Sequence, residues 1–237
     1  IEYVGGLTAG RAGSTSTTTQ SLSGTLAGGL AASPSEGDLV IVTVVVGSQA
    51  RNPATAITTP TGYTALGALL ADGTYDTSMN VSYKFMPATP DANFTVPSTG
   101  AVTDAQRWTV QVFRGVDPAT PLDVTPTSAT GTASGNCDPA SITPTTAGAW
   151  VVICGGGANN AGAAYTGPTN YTTNFLTGVS FDGIDAMVGS GYYSGWTSGA
   201  EDPGAYTDNA ASSWGAYTIA LRPVDTNLYV DGIIGTA

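Results

Sequence analysis

Two stretches of the sequence decide the fold: EGDLVIVTVVVGSQARN at residues 36–52 and AGAWVVICGGGANN at residues 147–160. Each contains a largely apolar run that starts one or two residues after a glycine and ends in small or polar residues. Because successive side chains of a strand point to opposite faces, such a run predicts a strand buried on both faces. We therefore expect each stretch to form the central strand of a sheet.

The two stretches belong to an internal repeat that covers most of the chain. In both halves the central run is followed by a Pro-containing turn, an aromatic segment and a closing strand, in the same order. The offset between equivalent positions drifts only slightly, as insertions in loops would cause. The pairs are Gly37 with Gly148, Pro60 with Pro168, Tyr83 with Tyr192, and Arg114, Val116 and Asp117 with Arg222, Val224 and Asp225.

The remaining sequence predicts an all-β fold. Short β-rich runs are separated by Gly, Pro, Asn, Asp and Ser clusters, and nothing keeps a helical period over three turns. A sheet of four or five strands has a bare apolar face, so the two halves must face each other. We predict an antiparallel, jelly-roll-like β-sandwich built from two sequence-similar halves. The predicted strands are residues 39–46, 63–70, 79–85, 108–114, 150–154, 186–193 and 216–222.

The predicted organisation has three parts. Residues 1–35 form an N-terminal arm or edge strand, residues 36–225 the sandwich with repeats at about 36–117 and 147–225, and residues 226–237 a C-terminal tail. The tail sequence LYVDGIIGTA is apolar enough to pair with a neighbouring subunit or with another protein. The alternation in VSYKF, residues 81–85, predicts a strand with one face in water, carrying Ser82 and Lys84.

Composition and charge exclude several classes of partner. Charged residues make up 10% of the 237 residues, and the formal net charge is −11. The sole lysine is Lys84 and the five arginines are scattered, so no basic patch exists to bind nucleic acid. The longest apolar run, residues 39–46, is far shorter than a membrane span, and membrane insertion is not expected.

Catalytic chemistry has few candidates. The chain contains no histidine, which removes His-based nucleophilic mechanisms and ordinary zinc sites. Only acid pairs remain for a glycosidase-type mechanism, and turn formation is the simpler interpretation of them. We therefore predict that the protein is not an enzyme. The candidate acids are Asp182, Asp185, Glu201, Asp202 and Asp208.

Cofactor and metal sites are not predicted either. GGGANNAG, residues 155–162, resembles a dinucleotide-binding loop, but Asn160 stands where the third glycine is required. Its glycines are interpreted as letting the chain leave the central strand. Asp72, Asp76 and Asn80 lack the spacing of a calcium loop. Cys137 and Cys154 are interpreted as buried thiols, with a disulfide between them as the alternative.

Aromatic residues are concentrated in the second half and offer a possible contact surface. An exposed group of Tyr and Trp side chains could stack on a sugar or contact a protein, whereas buried ones would fill the core. The sequence context SGWTSG favours exposure of the tryptophan most. The candidate contact residues for a glycan or protein are Tyr192, Tyr193, Trp196 and Tyr206.

The ordered motifs GDLVIVTVVV, TTPTGYTALG, VSYKFMPATPD, VFRGVDPATPLDV and IALRPVD resemble the β-sandwich module of tailed-bacteriophage virion proteins of the minor tail, fibre-associated and head-decoration types. The resemblance extends over about residues 4–225. It implies a structural role in the virion, in multiple copies and in contact with other virion proteins, after assembly in the bacterial host cytoplasm. It supplies no catalytic residues. The alternative function is a carbohydrate-binding or adhesin module that recognises a host surface glycan.

Overall fold

The computed structural model describes residues 1–48, 56–100, 103–132, 136–159, 165–181, 184–207 and 211–225, with the backbone alone at 174–181 and 184. The described residues form twelve strands and no helix. The strands are β1 (Glu2–Ala12), β2 (Thr18–Ser21), β3 (Leu39–Ser48), β4 (Thr64–Ala71), β5 (Asp76–Phe85), β6 (Asn93–Val96), β7 (Ala105–Arg114), β8 (Thr127–Gly131), β9 (Trp150–Asn159), β10 (Thr172–Phe181), β11 (Ile184–Tyr193) and β12 (Ser213–Leu221).

Ten strands form two antiparallel five-stranded sheets that pack face to face, so the predicted all-β sandwich is confirmed. The first sheet has the order β4-β5-β3-β7-β1 and the second the order β10-β11-β9-β12-β8. β2 and β6 form a separate two-stranded sheet. In these two orders, each strand of the first sheet has the same position as the strand of the second sheet that is its counterpart in the sequence repeat.

The stacking of the sheets follows the same repeat. β4 packs over β8 at one flank of the sandwich, and β1 packs over β10 at the other. β4 and β1 belong to the first sheet, whereas β8 and β10 are their partners in the second sheet. Since β10 is the counterpart of β4 and β8 the counterpart of β1, the two sheets are related by a pseudo-twofold arrangement. As a result, the equivalent strands β4 and β10 lie on opposite flanks.

Apolar packing explains why both central strands are buried on both faces. Between the sheets, Ile41 and Val45 of β3 meet Val152 and Cys154 of β9 in one cluster. The alternate residues of β3, Val40 to Val46, pack outward against loops and the small β2–β6 sheet. The outward residues of β9 pack against loops of the second half. The predicted central strands at 39–46 and 150–154 are therefore correct, and both extend further.

One predicted surface is wrong. Ser82 is fully buried and Lys84 is half-buried, although alternation predicted a face of β5 in water. The outer face of β5 is covered by the segment before β4, where the Asn80 side chain donates hydrogen bonds to the Ile57 carbonyl and to Thr59 Oγ1. A loop that covers one face of a strand does not change the alternation of polar and apolar residues in that strand, so the sequence of β5 does not show that its outer face is covered.

The N-terminal region is part of the first sheet. β1 pairs with β7 along its length and forms the edge of that sheet, within the segment 1–35 that was interpreted as an arm or edge strand. Its counterpart in the second half is β8, which lies before residue 147, where the second repeat was predicted to begin. The repeat in the structure therefore includes an edge strand before each central strand.

The repeat extends to individual turns. Gly62 and Asn170 occupy the same corner before β4 and β10, with φ of 82° and 73°. In both corners the tyrosine amide donates to the carbonyl of the proline three residues earlier, from Tyr63 to Pro60 and from Tyr171 to Pro168. The left-handed conformation required here is open to glycine and tolerated by asparagine, which explains the Gly/Asn exchange.

Replacement of Asn170 by alanine should destabilise the protein by about 1 to 2 kcal/mol, because alanine pays the steric cost of the left-handed conformation. Asn170→Gly should be at least as stable as the natural chain, since Gly62 serves the same corner. Urea unfolding measures both, with Thr169→Ala on the neighbouring exposed residue as the control. Equal stability of the alanine and glycine variants would contradict the assignment of this turn.

A buried carboxylate holds the loop before each central strand, but the two halves supply it from different places. Asp38 accepts from the Ser35 amide and pairs with Arg114 at 2.8 Å. Alanine replaces this aspartate in the second half, at residue 149. There Asp123 instead accepts from the Thr146 amide and pairs with Arg222 at 3.3 Å. The function of the carboxylate is kept although its position in the sequence is not.

Candidate interaction surface

The predicted aromatic contact residues do not form one exposed group. Tyr192 lies between the sheets and stacks on Trp150 with ring centroids 5.2 Å apart, while Tyr193 lies on the other face of β11 and packs against Tyr171. Tyr206 is completely buried. These positions follow from strand alternation and from the loops that cover the second sheet.

The exposure predicted for Trp196 is wrong. Its side chain is 9% exposed and belongs to the apolar cluster on the outer face of the second sheet. The indole nitrogen donates to the Gly199 carbonyl at 3.0 Å. The small residues around Trp196 let the chain fold back over the ring, so a Gly/Ser context here indicates a tight loop around a buried side chain.

The candidate acids are not brought together. Asp185 is the second residue of β11, is 1% exposed, and lies at the opposite end of this strand from Tyr193, roughly 26 Å away at about 3.3 Å per residue. Glu201 lies toward the Tyr193 end, because it accepts from the hydroxyl of Tyr171. Asp202 is exposed on the loop after Glu201. Asp182 and Asp208 lie outside the described residues.

Two of the three residues weighed against a calcium loop, Asp76 and Asn80, make hydrogen bonds within the fold. Asp76 is buried and accepts from the Gly73 amide at 2.9 Å, and Asn80 binds the loop over β5. Among the described residues, no group of three or more His, Cys, Asp or Glu side chains could hold a metal ion.

The glycines at 155–157 lie inside β9, which corrects the interpretation that they let the chain leave the strand. They pair with β11 on one side and β12 on the other. A Cβ at Gly155 would come within 2.7 Å of the Tyr206 ring, and one at Gly157 within 2.5 Å of the Tyr165 hydroxyl. Glycine is required because large aromatic side chains lie directly against this strand. The equivalent positions of the first half are Val44, Val45 and Val46.

Gly156 faces the opposite sheet, where a Cβ would overlap the Val45 side chain. Gly156→Ala should therefore cost about 1 to 3 kcal/mol of unfolding free energy through overpacking, and Val45→Ala about 2 kcal/mol through lost burial. The double variant should be more stable than the sum predicts by at least about 1 kcal/mol, because the smaller residue 45 makes room. Strict additivity in a denaturant-unfolding cycle would contradict direct contact.

The two cysteines are free thiols on opposite faces of the second sheet. Cys154 lies between the sheets, and burial raises the pKa of its thiol to about 12. Cys137 lies on the outer face, and burial raises its pKa as well. Both thiols are neutral at physiological pH, so neither is an activated nucleophile. The disulfide alternative is wrong, because the two thiols are free and lie on opposite faces of the sheet.

With the faces of both sheets covered, the edge strands are the parts of the sandwich that can pair with another chain. Two of the four edges are protected. The backbone of β1 exchanges hydrogen bonds with Ala27 through Gly6 and accepts from Ala31 at Val4. β8 is only five residues long, and short edges resist pairing.

β4 is the exposed edge of the first sheet. Within the described residues, its backbone pairs with β5 alone. Its sequence TALGALLA contains no charged residue, and Leu70 is 43% exposed. Ala65 and Ala68 are exposed as well. After the register shift between Ala65 and Gly67, the uncharged remainder of the strand, Gly67 to Ala71, is in regular register and can serve as a template for strand addition.

β10 is the equivalent edge of the second sheet. In the described part of the chain it pairs with β11 alone, and its ten-residue sequence TTNFLTGVSF contains no charged residue. The sequence prediction omitted β10, although the repeat places it 108 residues after β4. β4 and β10 together define the candidate interaction surface, and we call them the open edges.

The fold defines this chain as a duplicated antiparallel β-sandwich, and within the described ranges β4 and β10 each pair on one side only. Comparison with models of known protein families, with curated proteins and with solved structures finds no match. Over the residues that the structure describes, no helix is long and apolar enough to cross a membrane.

Proposed function

We propose that the protein is a structural component of a bacteriophage particle, displayed in multiple copies on the exterior of the tail or capsid and in contact with other virion proteins. The order of the GDL, PxGY, YK and FRGVDPATPLD motifs, which is similar to that of virion β-sandwich modules, supports the proposed class of particle. The open edges carry the structural part of the proposal, because they suit an assembling protein.

The use of polar side chains supports a structural role. The buried carboxylates Asp38 and Asp123 pair with arginines and tie down loops. Thr77 and Ser213 hydrogen-bond to each other at 2.8 Å between the sheets. Carboxylate and hydroxyl groups, which in an enzyme could act on a substrate, thus stabilise the sandwich, as a durable exterior protein requires.

Mass spectrometry of purified virions, separated into heads and tails, tests this function. We expect peptides of this chain in one of the two fractions, at a fixed copy number per particle. Their absence from intact particles, with the chain free in the lysate of the same culture, would contradict the proposal. A host protein adsorbed to particles would vary in amount between preparations, which distinguishes contamination from a structural component.

A further inference from the structure

We propose that copies of this chain associate head to tail, with β4 of one copy hydrogen-bonded to β10 of the next. The inference rests on the proposed multi-copy role and names the partner as a second copy of this chain. It follows from the position, the charge and the pairing of the open edges.

The position of the edges permits continued addition. The pseudo-twofold stacking puts β4 and β10 on opposite flanks, each beside a protected strand of the other sheet. A contact between β4 and β10 joins the first sheet of one copy to the second sheet of the next. It occupies an unpaired edge on both copies and leaves one open edge at each end.

The lack of charged residues in β4 and β10 favours these edges for contact between identical copies. Each copy carries a formal charge of −11, so two copies repel each other wherever acidic surfaces meet. Screening acts over only about 8 Å at physiological ionic strength. TALGALLA and TTNFLTGVSF contain no charged residue, so pairing of the two strands places carboxylates only beyond their last residues, at Asp72 and Asp182.

Head-to-tail pairing also leaves fewer edges unpaired than a symmetric dimer. A dimer through β4 and β4 would leave β10 open on both of its outer flanks. Pairing of β4 with β10 satisfies both edges of every copy inside the assembly, and a ring satisfies all of them. Contacts between different patches of identical subunits generate rings or open filaments.

The test uses the full chain and a matched pair of double variants. Ala68→Lys/Leu70→Lys places two charges on the exposed side of β4, a device that natural edge strands use against pairing. Leu30→Lys/Ala32→Lys makes the same substitutions with the same spacing on an exposed loop, where Leu30 is 60% exposed. Both variants reduce the net negative charge equally, so a general charge effect cancels.

Sedimentation velocity over a range of concentrations should show the natural chain and the loop variant assembling beyond dimers. The β4 variant should associate at least tenfold more weakly while keeping the same circular dichroism spectrum. A natural chain that is monomeric throughout, or that saturates as a dimer, overturns head-to-tail association. Equal weakening by both variants also overturns it.

A mixing experiment tests whether β10 takes part in the contact. The β4 variant keeps a normal β10, so adding it to the natural chain should cap assemblies and shorten them. If β4–β4 is the only contact, the variant cannot join and the natural dimers are unchanged, which overturns the proposal. A chain that is monomeric in solution but present in purified virions would refute this contact and leave the proposed function standing.

Discussion

Trp196→Ala is expected to lower the free energy of unfolding by about 3 to 5 kcal/mol, the range for removal of a large buried aromatic side chain. The indole is 9% exposed and packs in the apolar cluster on the outer face of the second sheet. Its loss leaves a cavity under the loop and removes the hydrogen bond to the Gly199 carbonyl. Guanidinium unfolding followed by circular dichroism measures the change.

The neighbouring Thr197→Ala serves as the control, because Thr197 is exposed and should change stability by no more than about 0.5 kcal/mol. The pair of variants also bears on the sugar-binding alternative. A stable Trp196→Ala protein that had lost binding on a glycan array would contradict the buried position and favour an exposed sugar-stacking residue.

Asp123→Ala is expected to cost about 3 kcal/mol at neutral pH, because it removes a buried carboxylate with several partners. Asp123 accepts hydrogen bonds from the backbone amides of Thr145 and Thr146 and pairs with Arg222. Without it the two amides and the guanidinium lose their acceptor, and the loop before β9 is no longer held. The half-exposed Arg222 can recover solvation, which limits the cost.

The effect of this variant should depend on pH. Burial acts to raise the pKa of Asp123, but hydrogen bonds from Thr146 and Thr145 outweigh it and hold the pKa below its ordinary value of 3.8. Because the pKa of Asp123 is lower in the folded than in the unfolded protein, the ionised carboxylate makes its full contribution to stability at pH values above the unfolded-state pKa. This contribution to stability is lost as the pH falls through the folded-state pKa. The stability difference between the natural chain and Asp123→Ala should therefore shrink below about pH 4.

Urea unfolding at neutral pH and at successively lower pH checks this dependence. Asp202→Asn removes a negative charge from an exposed loop and provides the control for charge alone. A difference between the natural chain and Asp123→Ala that stays constant down to pH 2 would show that Asp123 stabilises the loop by packing and not as an anion.

Prediction from the sequence worked where the physical constraint acts along the strand. A strand that is buried on both faces must be apolar at successive positions, and 39–46 and 150–154 show this directly. The duplicated order of motifs predicted two similar halves, and each half forms one sheet. The pairing of Pro60 with Pro168 in the repeat predicted a similar turn in both halves, and the structure has equivalent corners there, with Gly62 and Asn170 at the left-handed position.

Prediction failed where the constraint comes from residues distant in the chain. Ser82 has the alternation of a solvated face, but a separate segment covers it. Gly156 reads as a turn residue, yet it lies in a strand because Val45 of the other sheet occupies the space of a side chain. Trp196 has the neighbours of an exposed residue, but they form a loop that encloses the ring.

The sequence by itself determined the all-β class, the two central strands and the duplication, since each leaves a local or repeated pattern of residue types. Only the tertiary structure decided which glycines make room for aromatic rings, which carboxylate replaces Asp38 in the second half, and which strands remain open edges. Those features depend on what lies opposite a residue in space. β4 and β10 are the open edges because the segment around Ala27 and Ala31 hydrogen-bonds to β1, and because β8 is only five residues long.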